Sequence, residues 1–232
     1  MAESGTLPPG FGELEVLAVG TVLLVEALSG LSLNILTILS FCKTPELRTP
    51  SHLLVLSLAL ADTGISLNAL VAATSSLLRR WPYGSEGCQA HGFQGFATAL
   101  ASICSSAAIA WGRYHHFCTQ TSPASSSPWP FSTSSCPFSS QSYPIGSWSR
   151  NSGRPAVPRT LLLGWGPYAL LYLYATIADA TSLSPKLQMV PALIAKTMPT
   201  VNAVNYALGS EMVHRGIWQC LSPQRRERSR EQ

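Results

Sequence analysis

Val16–Phe41 reads VLAVGTVLLVEALSGLSLNILTILSF, a run of aliphatic side chains broken by Glu26 and Asn34. A helix needs roughly 20 mainly apolar residues to cross the hydrocarbon core of a bilayer, and this run supplies them. Four further stretches approach the same length: Leu53–Leu78, Gly92–Trp111, Leu161–Ala178 and Leu187–Leu208. The third of the five spans is rich in Ala and Ser. It is expected to be the least hydrophobic and to favour helix contact over lipid contact. Charged residues make up only 11% of the chain, against about 25% in a soluble globular domain. These features exclude an ordinary soluble domain and predict an all-α membrane protein with about five spans.

Charge sets the expected orientation. The formal net charge is +4, concentrated at Arg225, Arg226, Arg228 and Arg230. By the positive-inside rule this tail is cytoplasmic, and Lys43 and Arg48 in the first short loop agree. Arg79 and Arg80 follow the second span on the outer side and run against the trend. The basic tail points to a membrane surface and not to nucleic acid. The N-terminal stretch has acidic residues and prolines where a signal peptide would have a basic start, so the first span is expected to act as its own insertion signal. Six cysteines show no CxxC pair and no His/Cys spacing suited to a metal.

Between the third and fourth spans lies TQTSPASSSPWPFSTSSCPFSSQSYPIGSWSRNSGRPAVP, residues 119–158. Recurrent proline excludes a helix, serine competes for backbone hydrogen bonds, and little aliphatic surface is present to offset ordering entropy. A disordered cytoplasmic loop is expected; an O-glycosylated stalk would require the opposite topology. The chain thus divides into residues 1–118 with three spans, 119–158 as the loop, 159–210 with two spans, and 211–232 as a basic cytoplasmic tail.

A Lys or Asp inside a span costs about 2.5 to 3.5 kcal/mol on insertion scales, so each such residue is a functional candidate. Asn34, Asp62, Asn202 and Asn205 can be read as hydrogen-bonding glue between helices, or as a polar cluster that also switches. Lys196, in PALIAKTMPT, has no carboxylate in its own span. A neutral amine in an apolar pocket can attack an aldehyde and form a Schiff base. The alternative is an ion pair with Asp62 or Glu26 from another helix.

These motifs together resemble rhodopsin-class receptors. Asn34 stands in the first span, LALAD ends at Asp62 in the second, Cys88 precedes the third, and GRY at Gly112–Tyr114 closes it. Trp165 and Pro167 in GWGPY match the aromatic toggle and kink of the sixth helix of the family, and NAVNY from Asn202 to Tyr206 matches the box of its seventh. Lys196, six residues before Asn202, takes the retinal-attachment position that separates opsins from other receptors of the class. Within opsins the chain is most similar, over about 1–118 and 159–232, to the photoisomerase opsins of retinal pigment epithelium and Müller glia.

The resemblance implies a rhodopsin-like bundle with about five spans instead of seven. It further implies covalent binding of all-trans-retinal to Lys196, the catalytic residue, with His91 and Trp165 in the pocket, and photoisomerisation to 11-cis-retinal in the visual cycle. Asn34, Asp62, Arg113, Asn202 and Tyr206 become receptor-switch residues, and Cys88 a disulfide candidate whose usual partner lies in an outer loop absent here. His91 stands where visual pigments place a glutamate counterion, and GRY replaces an acidic-Arg-Tyr box, which implies at most weak G-protein coupling. Cys220 is a juxtamembrane palmitoylation candidate. Intracellular or plasma membranes of those two cell types are the implied location.

The Ser/Pro stretch stands where the family has its fourth and fifth helices. Losing an even number of spans preserves the orientation of everything downstream. Apolar codons such as TTC, ATC and CTC read one base late begin TC, which encodes serine, so a splice form with a shifted frame would produce such a stretch. A truncated product without a retinal pocket, inert or associating with full-length receptor, is the competing reading. A small channel or transporter using Lys196 and Asp62 would be expected to carry repeat symmetry, which is not evident here.

Overall fold

Proline and glycine mark where the helices begin and turn. In a computed structural model describing residues 10–121, 156–179 and 182–221, the chain forms six α-helices. These are α1 (Glu13–Lys43), α2 (Pro50–Leu77), α3 (Gly84–Thr121), α4 (Ala156–Ile177), α5 (Pro185–Gly209) and α6 (Glu211–Leu221), with a short 3-10 turn at Pro45–Leu47. Among the described residues there is no strand, in agreement with the all-α expectation.

At the start of α1, the Glu15 carboxylate accepts the Gly12 N–H at 3.0 Å and satisfies one of the orphan donors of the first turn. Pro50 opens α2, and Pro185 opens α5 behind a Ser184 cap whose hydroxyl accepts from the Leu187 N–H. Pro suits the first helical turn because its missing N–H would have no partner there. The α2–α3 connection turns through Arg79, at φ 54°, and Gly84, at φ 66°. The left-handed region is costly for arginine; Arg79 is held there with its guanidinium 2.9 Å from Glu13 of α1. The charge at Arg79 that ran against the positive-inside trend is thereby matched by a carboxylate at the same end of the bundle.

Among the described residues, four helices are long and apolar enough to cross a membrane: α1, Ser51–Leu77 of α2, Gly84–Gly112 of α3 and Thr160–Ile177 of α4. Over its whole length the Ala/Ser-rich α3 is the least apolar of the five, in line with expectation, yet α5 is the expected span that falls outside this set. The reason is local: α5 carries Lys186, Gln188, Lys196, Asn202 and Asn205. At 25 residues it is still about 38 Å long, enough to cross the core.

Helix α2 packs against α1, α3 and α5; α5 also contacts α1, α4 and α6, while α3 and α4 touch over a smaller area. Between Glu15 and Ser29, α1 runs parallel to α5 in one register. Lys186 Nζ donates to Glu15 Oε1 at 2.6 Å near their starts, and Ser29 Oγ lies 2.9 Å from Thr200 Oγ1 further along. Gly30 permits this approach, since a Cβ there would stand 3.2 Å from the Pro199 Cβ.

One buried cluster joins Phe41, Leu47, Val55, Leu58, Ile109, Tyr206 and Val213; a second joins Ile65, Ala99, Trp165, Ala195 and Met198. Val213 docks α6 against the first cluster, so the opening of the stretch assigned to a basic tail is a helix packed on α1, α5 and the Pro45–Leu47 turn. The helices also extend beyond the expected spans. α3 begins at Gly84 and continues to Thr121, and α4 opens at Ala156, so the two ends of the 119–158 segment are helical; its remainder lies outside the described residues.

Candidate functional site

Lys196 sits near the middle of α5, and its ammonium donates to Asn68 Oδ1 of α2 at 3.0 Å. The Asn68 amide in turn donates to Gln94 Oε1 at 2.7 Å and to the His91 carbonyl at 2.9 Å, with His91 Nδ1 at 3.2 Å. Gln94 closes the network by donating to the Gly64 carbonyl at 2.7 Å. Three helices therefore meet at Asn68. His91 is further fixed by the edge of Trp81, with ring centroids 5.3 Å apart.

Sequence reasoning singled out Lys196 and His91 but passed over Asn68 and Gln94, which join them. The signal was present, because Asn68 is a polar residue within a span, the criterion that flagged Asn34 and Asp62. Neither Asp62 nor Glu26 makes a direct ion pair with Lys196. Among the described residues Lys196 has no carboxylate within 4.0 Å; its direct partner is a neutral amide.

Trp165 of α4 is buried beside Ala195 and Met198, one position before and two after Lys196 on α5, and beside Ile65 and Ala99. Tyr168 stands edge-on to it at 6.2 Å. Gly164 lets α4 close on α5, since a Cβ there would lie 2.7 Å from Met198 Cγ. The Trp165 indole N–H is buried with no acceptor among the described residues. A buried indole N–H ordinarily finds a partner, and its lack of one leaves a donor for a bound molecule or water. An amine at the edge of an aromatic and aliphatic cluster is the donor set that suits a long apolar aldehyde. The amine can form the bond while the cluster covers the chain.

A second polar group lies deeper along α5. Asp62 is fully buried; its Oδ1 accepts from Ser102 of α3 at 2.7 Å and its Oδ2 from the Asn202 amide at 3.0 Å. Asn34 donates to the Gly30 carbonyl at 2.9 Å and to the Pro199 carbonyl at 3.1 Å. Asn34, Asp62 and Asn202 thus tie α1, α2, α3 and α5 together around Pro199, with each carboxylate oxygen satisfied. Tyr206 is buried one turn further along α5, in the cluster that receives α6. The Arg113 side chain lies outside the described residues.

Cys88 is exposed on α3 and unbridged, as are Cys42 and Cys104. Cys220 lies on α6 and is half-buried. α6 is amphipathic in its placement, with Val213 and Gly216 buried against the bundle and Trp218 and Leu221 exposed. A face of that kind suits the membrane interface.

Residues 33–133 match the family described as 7 transmembrane receptor (rhodopsin family). An RPE-retinal G protein-coupled receptor of Bos taurus is 66% identical over 291 aligned positions covering 100% of both chains. The Homo sapiens protein of the same name is 62% identical over 289, covering 99% of each. Human melanopsin is 38% identical over 96 residues, which cover 41% of this chain and 20% of its own. With 232 residues here against 291 aligned positions, those first relatives hold residues this chain lacks. On this similarity the chain belongs to the opsin family of rhodopsin-type G protein-coupled receptors, as a multi-pass membrane protein with an incomplete helical bundle.

Proposed function

We propose that this chain binds all-trans-retinal covalently at Lys196 and photoisomerises it to the 11-cis form. The observation that carries this reading is the placement of the Lys196 amine, hydrogen-bonded to Asn68 at 3.0 Å and flanked by residues packed on Trp165. The neutral amine attacks the aldehyde carbon, a carbon–nitrogen double bond replaces the carbonyl, and water leaves. Asn68 orients the nitrogen, His91 and Gln94 hold Asn68, and Trp165 with Ile65, Ala99 and Met198 supplies apolar wall. Asn34, Asp62, Asn202 and Tyr206, with Arg113, serve as the receptor-switch residues; a G protein is a weak partner. Cys220 is the palmitoylation candidate beside the membrane, and Cys88 remains available for a bridge between molecules. The membranes of retinal pigment epithelium and Müller glia are the proposed location.

A second reading has specific support. α3 and α4 meet over a small area, and Phe93, Leu162 and Leu163 are each at least 70% exposed. A ligand pocket normally buries most of its ligand. With the wall between α3 and α4 open, the chain is a truncated product that holds retinal poorly and is inert or associates with full-length receptor. Illumination of the full chain after incubation with all-trans-retinal, followed by isomer analysis, separates the two. Light-dependent 11-cis-retinal that is lost in Lys196→Ala supports the first; an unchanged isomer distribution leaves the second.

A further inference from the structure

The Lys196 amine lacks a carboxylate in direct contact, yet an intramembrane cation needs a negative charge nearby. The groups that surround α5 narrow the choice. On α2, Asp62 has both oxygens engaged by Ser102 and Asn202. On α3, His91 shares Asn68 with Lys196, and an imidazole supplies no negative charge. On α4, Tyr168 donates its hydroxyl to Tyr172. The charged residues of α6, Glu211 and Arg215, pair with each other beyond the end of α5.

That leaves α1, where the register decides. The Glu15–Lys186 and Ser29–Thr200 contacts carry the same sequence offset, 171 residues. Two parallel helices that hold one offset over about four turns bring the intervening residues together in the same order. Glu26 lies three residues before Ser29 and Lys196 four before Thr200, one turn back on each helix and on the faces already in contact. Oε2 of Glu26 is buried and has no hydrogen-bond partner among the described residues.

We propose that the Glu26 carboxylate, presented from α1, is the charge partner of the Lys196 nitrogen, both as the ammonium and as the protonated Schiff base. It takes the electrostatic part that His91 cannot. This deepens the Lys196 reading and rests on it only for the retinal-bound form.

The test begins without retinal. Reductive methylation of the full chain with formaldehyde and a borane, followed by peptide mass spectrometry, reads the fraction of neutral, reactive amine at Lys196. An opposite charge facing an amine shifts this balance by one unit or more. Glu26→Gln should therefore raise the Lys196 rate at neutral pH about tenfold, while Glu26→Asp stays near wild type. Glu15→Gln, which removes the ion pair at the outer end of the same two helices, should also leave it unchanged. Equal Lys196 rates in wild type and Glu26→Gln overturn the proposal. Should Glu26→Gln not fold, infrared spectra of Lys196→Met decide: the Glu26 band should move from carboxylate to carboxylic acid, and an unmoved band overturns it. With all-trans-retinal, the wild-type adduct should absorb in the visible and the Glu26→Gln adduct in the near ultraviolet. Failure of retinal to bind at all counts against the Lys196 reading alone, because the methylation and infrared results stand without it.

Discussion

Lys196 and Asn68 are 128 residues apart in the chain and 3.0 Å apart in the fold, joined amine to amide oxygen across α5 and α2. The same asparagine uses its amide nitrogen on α3, so one side chain sets the spacing of three helices at the depth of the amine.

Replacing Asn68 by Leu should therefore affect both stability and reactivity. It removes the acceptor for Lys196 and the donor for Gln94 and the His91 carbonyl, each loss of a buried partner costing about 1 to 3 kcal/mol. A lowered thermal unfolding midpoint in detergent is expected, together with slower retinal trapping. An unchanged midpoint would show that the network carries no net stability.

Asp62 offers a contrast between charge and hydrogen bonding. Asp62→Ala leaves Ser102 and Asn202 without the acceptor that joins α3 and α5 to α2, and should destabilise by about 1 to 3 kcal/mol. Asp62→Asn keeps one acceptor oxygen and avoids a buried charge, so it should be markedly better tolerated. Denaturation of both variants in the same detergent checks the order; the reverse order would mean that the negative charge itself holds the bundle.

Close helix contact makes Gly30 sensitive to size. A Cβ there meets Pro199 and the Ser66 side chain, and overpacking of this kind costs about 1 to 3 kcal/mol. Gly30→Ala should lower the unfolding midpoint and weaken the Asn34 bond to the Pro199 carbonyl, which lies one turn further along α1. Wild-type stability would mean that α1 and α5 separate at little cost.

The spans were legible in the sequence because apolar side chains in a run of bilayer length are stable only in hydrocarbon or a large core, and the Val16–Phe41 run lies within α1. The reach of α3 was not. Residues 84–91, GSEGCQAH, are too polar for hydropathy to mark, although helical backbone bonds continue through them. α6 was visible as a short amphipathic segment, but its docking on Leu47 and Phe41 depends on where α1 ends. At the candidate site, Lys196 stood out from residue type and its distance to NAVNY. Its partner did not, since whether Asn68 or Asp62 faces Lys196 depends on the rotation of α2 about its axis. That rotation is set by packing of Gly30, Ser66 and Pro199, not by spacing along one helix.

Retinal attachment at Lys196 is tested most directly by borohydride trapping. The full chain in detergent is incubated with all-trans-retinal in the dark and reduced, and its peptides are mapped by mass spectrometry. The expected result is a retinyl group on the peptide containing Lys196, absent from Lys196→Ala and diminished in Asn68→Leu. No retinyl peptide from a folded wild-type chain, or equal labelling of wild type and Lys196→Ala, would contradict it.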